Sequence, residues 1–241
     1  MRAIILAGGK GTRLAPYTWS FPKPLIPLGE KPILDIIVRQ LAEQGVERIT
    51  MAIGHLGELI MAYFGDGEDF GIKIDYSKED VPLGTAGPLS LIRELEGDFL
   101  VMNGDILTTI NFRKLFDYHQ KNNSMATIAM HSKSVKLELG VIHTDARHVV
   151  TDYIEKPALS YDVSMGIYVF NHSITRYIPE NQRLDFPDLI LTLIKQSEKV
   201  IAFHSEDYWV DIGTHAEYEH VLEEYEHVKD RLFKSIHKMA V

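Results

Sequence analysis

The run Ala3-Ile4-Ile5-Leu6-Ala7-Gly8-Gly9-Lys10-Gly11-Thr12-Arg13-Leu14 decides how the rest of the chain is read. A short apolar run that empties into glycines is the pattern of a buried first strand whose carboxyl end opens on a loop. The glycines let the backbone approach a ligand closely and aim N–H groups at phosphate oxygens, and Arg13 adds a positive charge just after them. Two familiar nucleotide loops do not fit. A P-loop needs four residues between its first glycine and Gly-Lys-Ser/Thr, and a dinucleotide fingerprint needs a small residue where Leu14 stands. Downstream, Phe21-Pro22-Lys23-Pro24-Leu25 sets one lysine between two prolines, which stiffen the backbone that carries its ammonium.

Outward from that loop, short apolar runs alternate with helical periods, as expected of βαβ units. Strands are predicted over Ala3 to Ala7, Arg48 to Ile53, Ile72 to Ser77 and Phe99 to Met102. Pro32 to Gln44 reads as a helix, with proline at its start, apolar residues on one face and Gly45 as its stop. Gly54 to Phe64 and Thr85 to Leu95 are weaker helix candidates. Further runs at Ser124 to Met130, Leu139 to His143, His148 to Glu155 and Ser164 to Phe170 suggest that antiparallel strands extend the sheet. The prediction is an α/β fold with a mixed, mostly parallel central sheet. Over His215 to about residue 239, Tyr218, Val221, Leu222, Tyr225, Val228, Leu232 and Ile236 recur every three or four residues. That is an amphipathic helix, expected to meet the core rather than a partner.

A length of 241 residues fits one large domain, and a formal charge of −9 argues against a nucleic-acid or anionic-lipid partner. The chain has no cysteine, which excludes disulfides and thiolate metal sites. The first apolar run is too short for a signal peptide, and none approaches the roughly 20 residues of a membrane span. A cytoplasmic protein is therefore expected, and the sequons at Asn122 and Asn171 are expected to be chance matches. Eleven histidines invite a metal-hydrolase reading. The spacing of His215, His220 and His227 does not support it, and these are expected to be solvated.

The loop and the Pro-Lys-Pro segment together closely resemble the signature of the sugar-phosphate nucleotidyltransferases, or NDP-sugar pyrophosphorylases. Pro82-Leu83-Gly84-Thr85-Ala86-Gly87, Asn103-Gly104-Asp105, Glu155-Lys156-Pro157, Met165-Gly166-Ile167-Tyr168 and Trp209-Val210-Asp211-Ile212-Gly213 follow in the family's order. The likeness spans about residues 2 to 215 and is nearest to the mannose-1-phosphate guanylyltransferase branch. Many members of that branch carry a C-terminal left-handed β-helix domain, whereas one domain over 1–241 is expected here. The resemblance implies a Rossmann-like three-layer fold and possible homo-oligomers such as dimers. It also implies a reaction in which a sugar 1-phosphate attacks the α-phosphorus of a nucleoside triphosphate on Mg²⁺ and pyrophosphate departs.

It further implies roles. Asp105 and Asp211 match the metal positions, although alone Asp105 could be a turn residue and Asp211 a helix cap. Arg13 would hold the departing phosphates and Lys23 the charge developing at the α-phosphate. Leu6, Ala7, Gly8, Gly9, Gly11, Thr12, Glu79, Gly84, Thr85, Asn103 and Gly104 would bind the nucleotide. Gly140, Glu155, Lys156, Gly166 and Trp209 would bind the sugar phosphate, Trp209 and Tyr168 only in secondary roles because aromatics beside strands are more often core. Glu79 stands where the family reads the base edge. A carboxylate can accept both N1–H and N2–H₂ of guanine, so GTP is expected, with mannose 1-phosphate or a related hexose or heptose 1-phosphate. The competing readings are enzymes using UTP, dTTP or CTP, and a non-catalytic sugar-nucleotide-binding subunit. A nicotinamide-dependent oxidoreductase is disfavoured by Leu14.

Overall fold

A computed structural model describes residues 1–232. The first strand, β1 (Arg2–Ala7), is followed by a small ribbon, β2 (Pro27–Leu28) and β3 (Lys31–Pro32), and by α1 (Ile33–Glu43). Pro32 is the residue before the first helical turn and Gly45 takes a φ of +85°, so the proline and glycine signals mark the two ends as expected. Next come β4 (Arg48–Ile53), α2 (Gly57–Phe64), β5 (Lys73–Lys78), β6 (Asp98–Asn103), β7 (Ile106–Thr108) and α3 (Phe112–Asn122). The second half holds β8 (Ala126–Lys136), β9 (Val141–Thr144), β10 (Val150–Ile154), β11 (Ala158–Asn171), α4 (Phe186–Lys195), β12 (Val200–His204), β13 (Trp209–Asp211) and α5 (His215–Leu232).

The main sheet has the order β12-β8-β11-β6-β1-β4-β5. Within it β1 lies parallel to β4 and β6, β4 to β5, and β12 to β8, while β11 alone runs against its neighbours β6 and β8. The sheet is mixed and mostly parallel, as predicted. Antiparallel extension is narrower than the second-half runs suggested, because β9 and β10 leave the sheet as a separate two-stranded ribbon.

Both faces of β1 are buried, which explains its unbroken apolar run. Ala3, Ile5 and Ala7 join a core with Leu34, Ile37 and Leu41 of α1, Ile60 and Phe64 of α2, and Phe112 and Leu115 of α3. Ile4 joins the opposite core with Phe99, Phe170 and Phe186, Leu189 and Leu193 of α4. Three layers result, as the resemblance implied. Tyr218, Val221, Val228 and Leu232 of α5 enter the first core, so the expected stripe is a core contact within the described residues. Ile236 and the predicted extension to residue 239 lie outside them.

Two helices went unread in the sequence. α3 starts at Asn111, whose side chain accepts from the Lys114 N–H at 2.8 Å, and α4 starts after Asp185 with Pro187 in its first turn. Conversely, the helix expected over Thr85 to Leu95 is only a 3₁₀ turn over Gly87–Leu91. The N–H groups of Ala86 and Gly87 both point to the Leu184 carbonyl, at 2.9 and 3.0 Å, and are lost to a local helix. No described helix is long and apolar enough to cross a membrane.

Candidate active site

The carboxyl ends of β1, β4 and β6 open on a cleft of about 900 Å³. Leu6, Ala7, Gly8 and Gly9 line it from the first loop, Asn103 and Asp105 from the end of β6, and Lys23 from the Pro-Lys-Pro segment. Glu79, Gly84 and Thr85 close the far side. This is the edge of an open α/β sheet where the strands' ends leave a crevice for ligands. Gly8 leaves room for the Glu79 carboxylate: a Cβ on it would stand 2.7 Å from Glu79 Oε1 and push that side chain aside. The Gly104 N–H donates to the Leu6 carbonyl at 2.9 Å, which ties the loop after β6 to the first strand.

The two carboxylates come together through β7 and β13. These strands pair antiparallel with Asp211 opposite Ile106, and the Ile212 N–H donates to the Asp105 carbonyl at 3.1 Å. Lys23 Nζ is bonded and ion-paired to Asp105 Oδ2. Asp105 Oδ1 is buried and has no hydrogen-bond partner among the described residues. A buried, unpaired carboxylate oxygen is costly and calls for a cation or donor. Burial pushes the Asp211 carboxyl above its ordinary range, the neighbouring Asp105 adds to the rise, and Lys23 and Arg13 oppose it.

The cap reading of Asp211 does not hold, whereas Asp105 does lie in a turn, with Gly104, between β6 and β7. Asp211 is not the cap of α5, because Thr214 and Glu217 form that cap: the Glu217 N–H donates to Thr214 Oγ1 at 3.3 Å and Thr214 Oγ1 to Glu217 Oε2 at 3.0 Å. From that turn the Asp105 side chain meets Lys23. Among the described residues no group of three or more His, Asp or Glu converges on one point. The unpartnered Asp105 oxygen, with the Asp211 carboxylate beside it, would suit a hard divalent ion that completes its shell with other oxygen ligands and water.

Arg13 sits in a 3₁₀ turn, Thr12–Leu14, entered through Gly11 at a φ of +60° and anchored by the fully buried Leu14. Its guanidinium makes no hydrogen bond or ion pair among the described residues. Two of its nitrogens lie 3.3 and 3.5 Å from where a Cβ on Gly213 would stand, and its charge reaches Asp211. Arg13 and Thr12 are exposed beside the carboxylates, free to meet an anion.

The family model for nucleotidyl transferase matches residues 2–228, nearly the whole chain. The chain belongs to the sugar-phosphate nucleotidyltransferase family. It is 35% identical over 240 residues to a UTP–glucose-1-phosphate uridylyltransferase of a Synechocystis species, covering 90% of this chain. It is also 35% identical over 225 residues to a mannose-1-phosphate guanyltransferase of Yarrowia lipolytica, covering 88% of this chain. In both cases it spans 61% of the relative's length. A crystal structure of a putative glucose-1-phosphate thymidylyltransferase from Bacillus anthracis superposes with a TM-score of 0.75 at 25% identity, covering 92% of this chain and 94% of that one. HddC from Yersinia pseudotuberculosis superposes at 0.73 with 26% identity, covering 93% and 99%.

Within this family member the remaining expected site residues divide. Gly166, at a φ of +70°, packs so tightly on Asn103 that a Cβ would meet its Nδ2 at 2.8 Å, and Trp209 Nε1 donates to the adjacent Met165 carbonyl at 3.0 Å. These residues gather beside β6 and β13. Gly140 and Glu155 meet each other on the β9–β10 side: Tyr153 donates its hydroxyl to Glu155 at 3.0 Å, and a Cβ on Gly140 would stand 3.0 Å from the same carboxylate oxygen. Lys156 follows in a left-handed turn at a φ of +45°. None of Gly140, Glu155 and Lys156 lines the cleft or bonds Asp105 or Asp211.

Thr85 faces the cleft, and its hydroxyl also accepts from the Phe186 N–H at 2.8 Å and lies 3.4 Å from Asp185, so it caps α4. Tyr168 is buried in the second core, the commoner place for an aromatic beside a strand, where it stacks on Phe170 and meets Phe186 at a tilt. His215 is not merely solvated: its Nε2 donates to the Ala15 carbonyl at 2.6 Å. The sequence reading also assigned nothing to Lys10, His55 or Lys78, which line the cleft. His55 was findable, since it follows the carboxyl end of β4 and its N–H donates to the Gly8 carbonyl at 3.3 Å.

Proposed function

We propose that this chain joins a sugar 1-phosphate to a nucleoside triphosphate on Mg²⁺, with GTP and mannose 1-phosphate, or a related hexose or heptose 1-phosphate, as its pair. The observation that carries the reading is the meeting of Asp105, Asp211 and Lys23 at the carboxyl edge of the sheet, beside the glycine loop. An oxygen of the sugar phosphate attacks the α-phosphorus, the bond to the α–β bridging oxygen breaks, and pyrophosphate leaves with both electrons. No proton has to move, so the protein's task is positioning and charge neutralisation. Magnesium held between Asp105 and Asp211 would supply a Lewis acid to the phosphates. Lys23 exchanges Asp105 for the α-phosphate and Arg13 receives the departing phosphates. Gly8 and Gly9 bring the backbone against the nucleotide, while Glu155 and Lys156, outside that cleft, serve a separate sugar-phosphate subsite.

The base reading rests on Glu79. Its Oε2 accepts from the Leu83 N–H at 3.0 Å, while Oε1 faces Gly8 and Gly54 inside the cleft. Guanine places adjacent donors before the free oxygen and the remaining lone pair of the bonded one. The same engagement favours a second reading with UTP or dTTP, because one free oxygen suffices for the single N3–H of uracil or thymine. Pyrophosphate release across GTP, UTP, dTTP, CTP and ATP, each with mannose, glucose and heptose 1-phosphates, tests both. Turnover with GTP that moves toward UTP in Glu79→Gln supports the first; turnover with UTP or dTTP alone establishes the second. Nucleotide-sugar binding without turnover on any pair identifies a non-catalytic subunit.

A further inference from the structure

α5 begins directly behind Asp211 and reaches the first loop as well. His215 Nε2 donates to the carbonyl of Ala15, the residue that closes the Thr12–Leu14 turn through its own N–H to Thr12 at 3.3 Å. Its ring lies 5.6 Å from that of Tyr17, which also meets Tyr218 one turn along at 6.1 Å. From the other side Glu217 accepts from the Gly213 N–H at 3.0 Å and fixes the backbone just past Asp211. Gly213 is the residue over which the Arg13 guanidinium lies. One helical turn thus grips both halves of the phosphate site, the arginine turn and the strand end that carries the carboxylate.

We propose that His215 is a positioning residue: by holding the Ala15 carbonyl it keeps the Arg13 guanidinium over Gly213 and beside Asp211, where it can grip the terminal phosphates. The inference rests on the reading of Arg13 given above. Leu14 anchors only the apolar side of the turn, and among the described residues Arg13 has no hydrogen bond or ion pair of its own to hold it. A donor at position 215 therefore sets where the cation stands.

The test is isothermal titration with inorganic pyrophosphate and Mg²⁺, a probe that needs neither the right base nor the right sugar. His215→Phe keeps a ring against Tyr17 and removes the donor, and His215→Gln restores a donor. The expected result is roughly tenfold weaker binding in His215→Phe, as for loss of about one well-placed contact. His215→Gln recovers to within about threefold, and His215→Phe changes binding by less than about twofold in an Arg13→Ala background. Equal losses with and without Arg13, or no loss in His215→Phe, overturn the proposal and leave the enzyme reading intact. If the wild-type chain binds no pyrophosphate, both fall together.

Discussion

Replacing Lys23 with methionine should strengthen metal binding to the free protein. In the absence of substrate the lysine occupies Asp105, and both side chains are mostly buried, at 11% and 19% exposure. A divalent ion approaching Asp105 must displace or tolerate that ammonium. Two unit charges about 4 Å apart interact by roughly 4 kcal/mol at an effective dielectric of about 20. The lysine stem can swing away and the cleft admits water, so about a third of this should survive, near 1.4 kcal/mol or about tenfold in affinity. Mn²⁺ replaces Mg²⁺ as a paramagnetic probe, and free ion is counted by electron spin resonance with and without a non-hydrolysable nucleoside triphosphate. Lys23→Met should bind Mn²⁺ about tenfold more tightly alone and lose most of the gain that nucleotide gives the wild type. Unchanged or weaker Mn²⁺ binding by the free variant would refute the idea that Lys23 guards the carboxylate.

Asp105→Asn and Asp211→Asn should each lower turnover on the active substrate pair by about 100-fold or more, with melting temperatures near wild type, as expected for groups that neutralise transition-state charge. Gly84→Ala should cost roughly 1–2 kcal/mol in urea melts, since the residue sits at a φ of +79° and its Cβ would meet the Leu184 carbonyl and Asp185 Oδ1, both at 2.6 Å. Thr85→Val should lower stability by about 1–3 kcal/mol through the lost cap of α4 yet leave nucleotide affinity within about twofold, which separates its structural part from a binding one. Burial holds His119 below its ordinary value of 6.5, against the pull of Asp98, while its Nδ1 shares a hydrogen bond with Thr127 Oγ1 at 2.8 Å. The unfolded chain therefore takes up the proton first. The stability this neutral ring contributes is complete above pH 6.5 and is lost as pH falls through the lowered folded value. Urea melts from about pH 7 down to about pH 5 should show that acid slope in the wild type and a flatter one in His119→Gln.

The parts of this protein legible in its sequence are those whose cause is local. β4 begins at Arg48 and ends at Ile53, as its apolar run predicts, and α1 lies between a proline and a glycine that act on their own backbone. The glycine loop, Lys23 and Asp105 could be placed at one sheet edge because each directly follows a strand or a stiffened segment. Tertiary structure alone decided whatever depends on a partner distant in the chain. Thr85 to Leu95 carries enough helical period to mislead, and its backbone is instead claimed by Leu184. The α5 histidine looks solvated by spacing until the fold brings Ala15 beside it. A core place for Tyr168 could be read from its strand, but not that Phe186 would be the ring it meets there. The union of Asp105 with Asp211 needs β7 and β13 to pair across about a hundred residues. Periodicity and allowed backbone angles are properties of neighbours, whereas burial and hydrogen-bond partners belong to the packed chain.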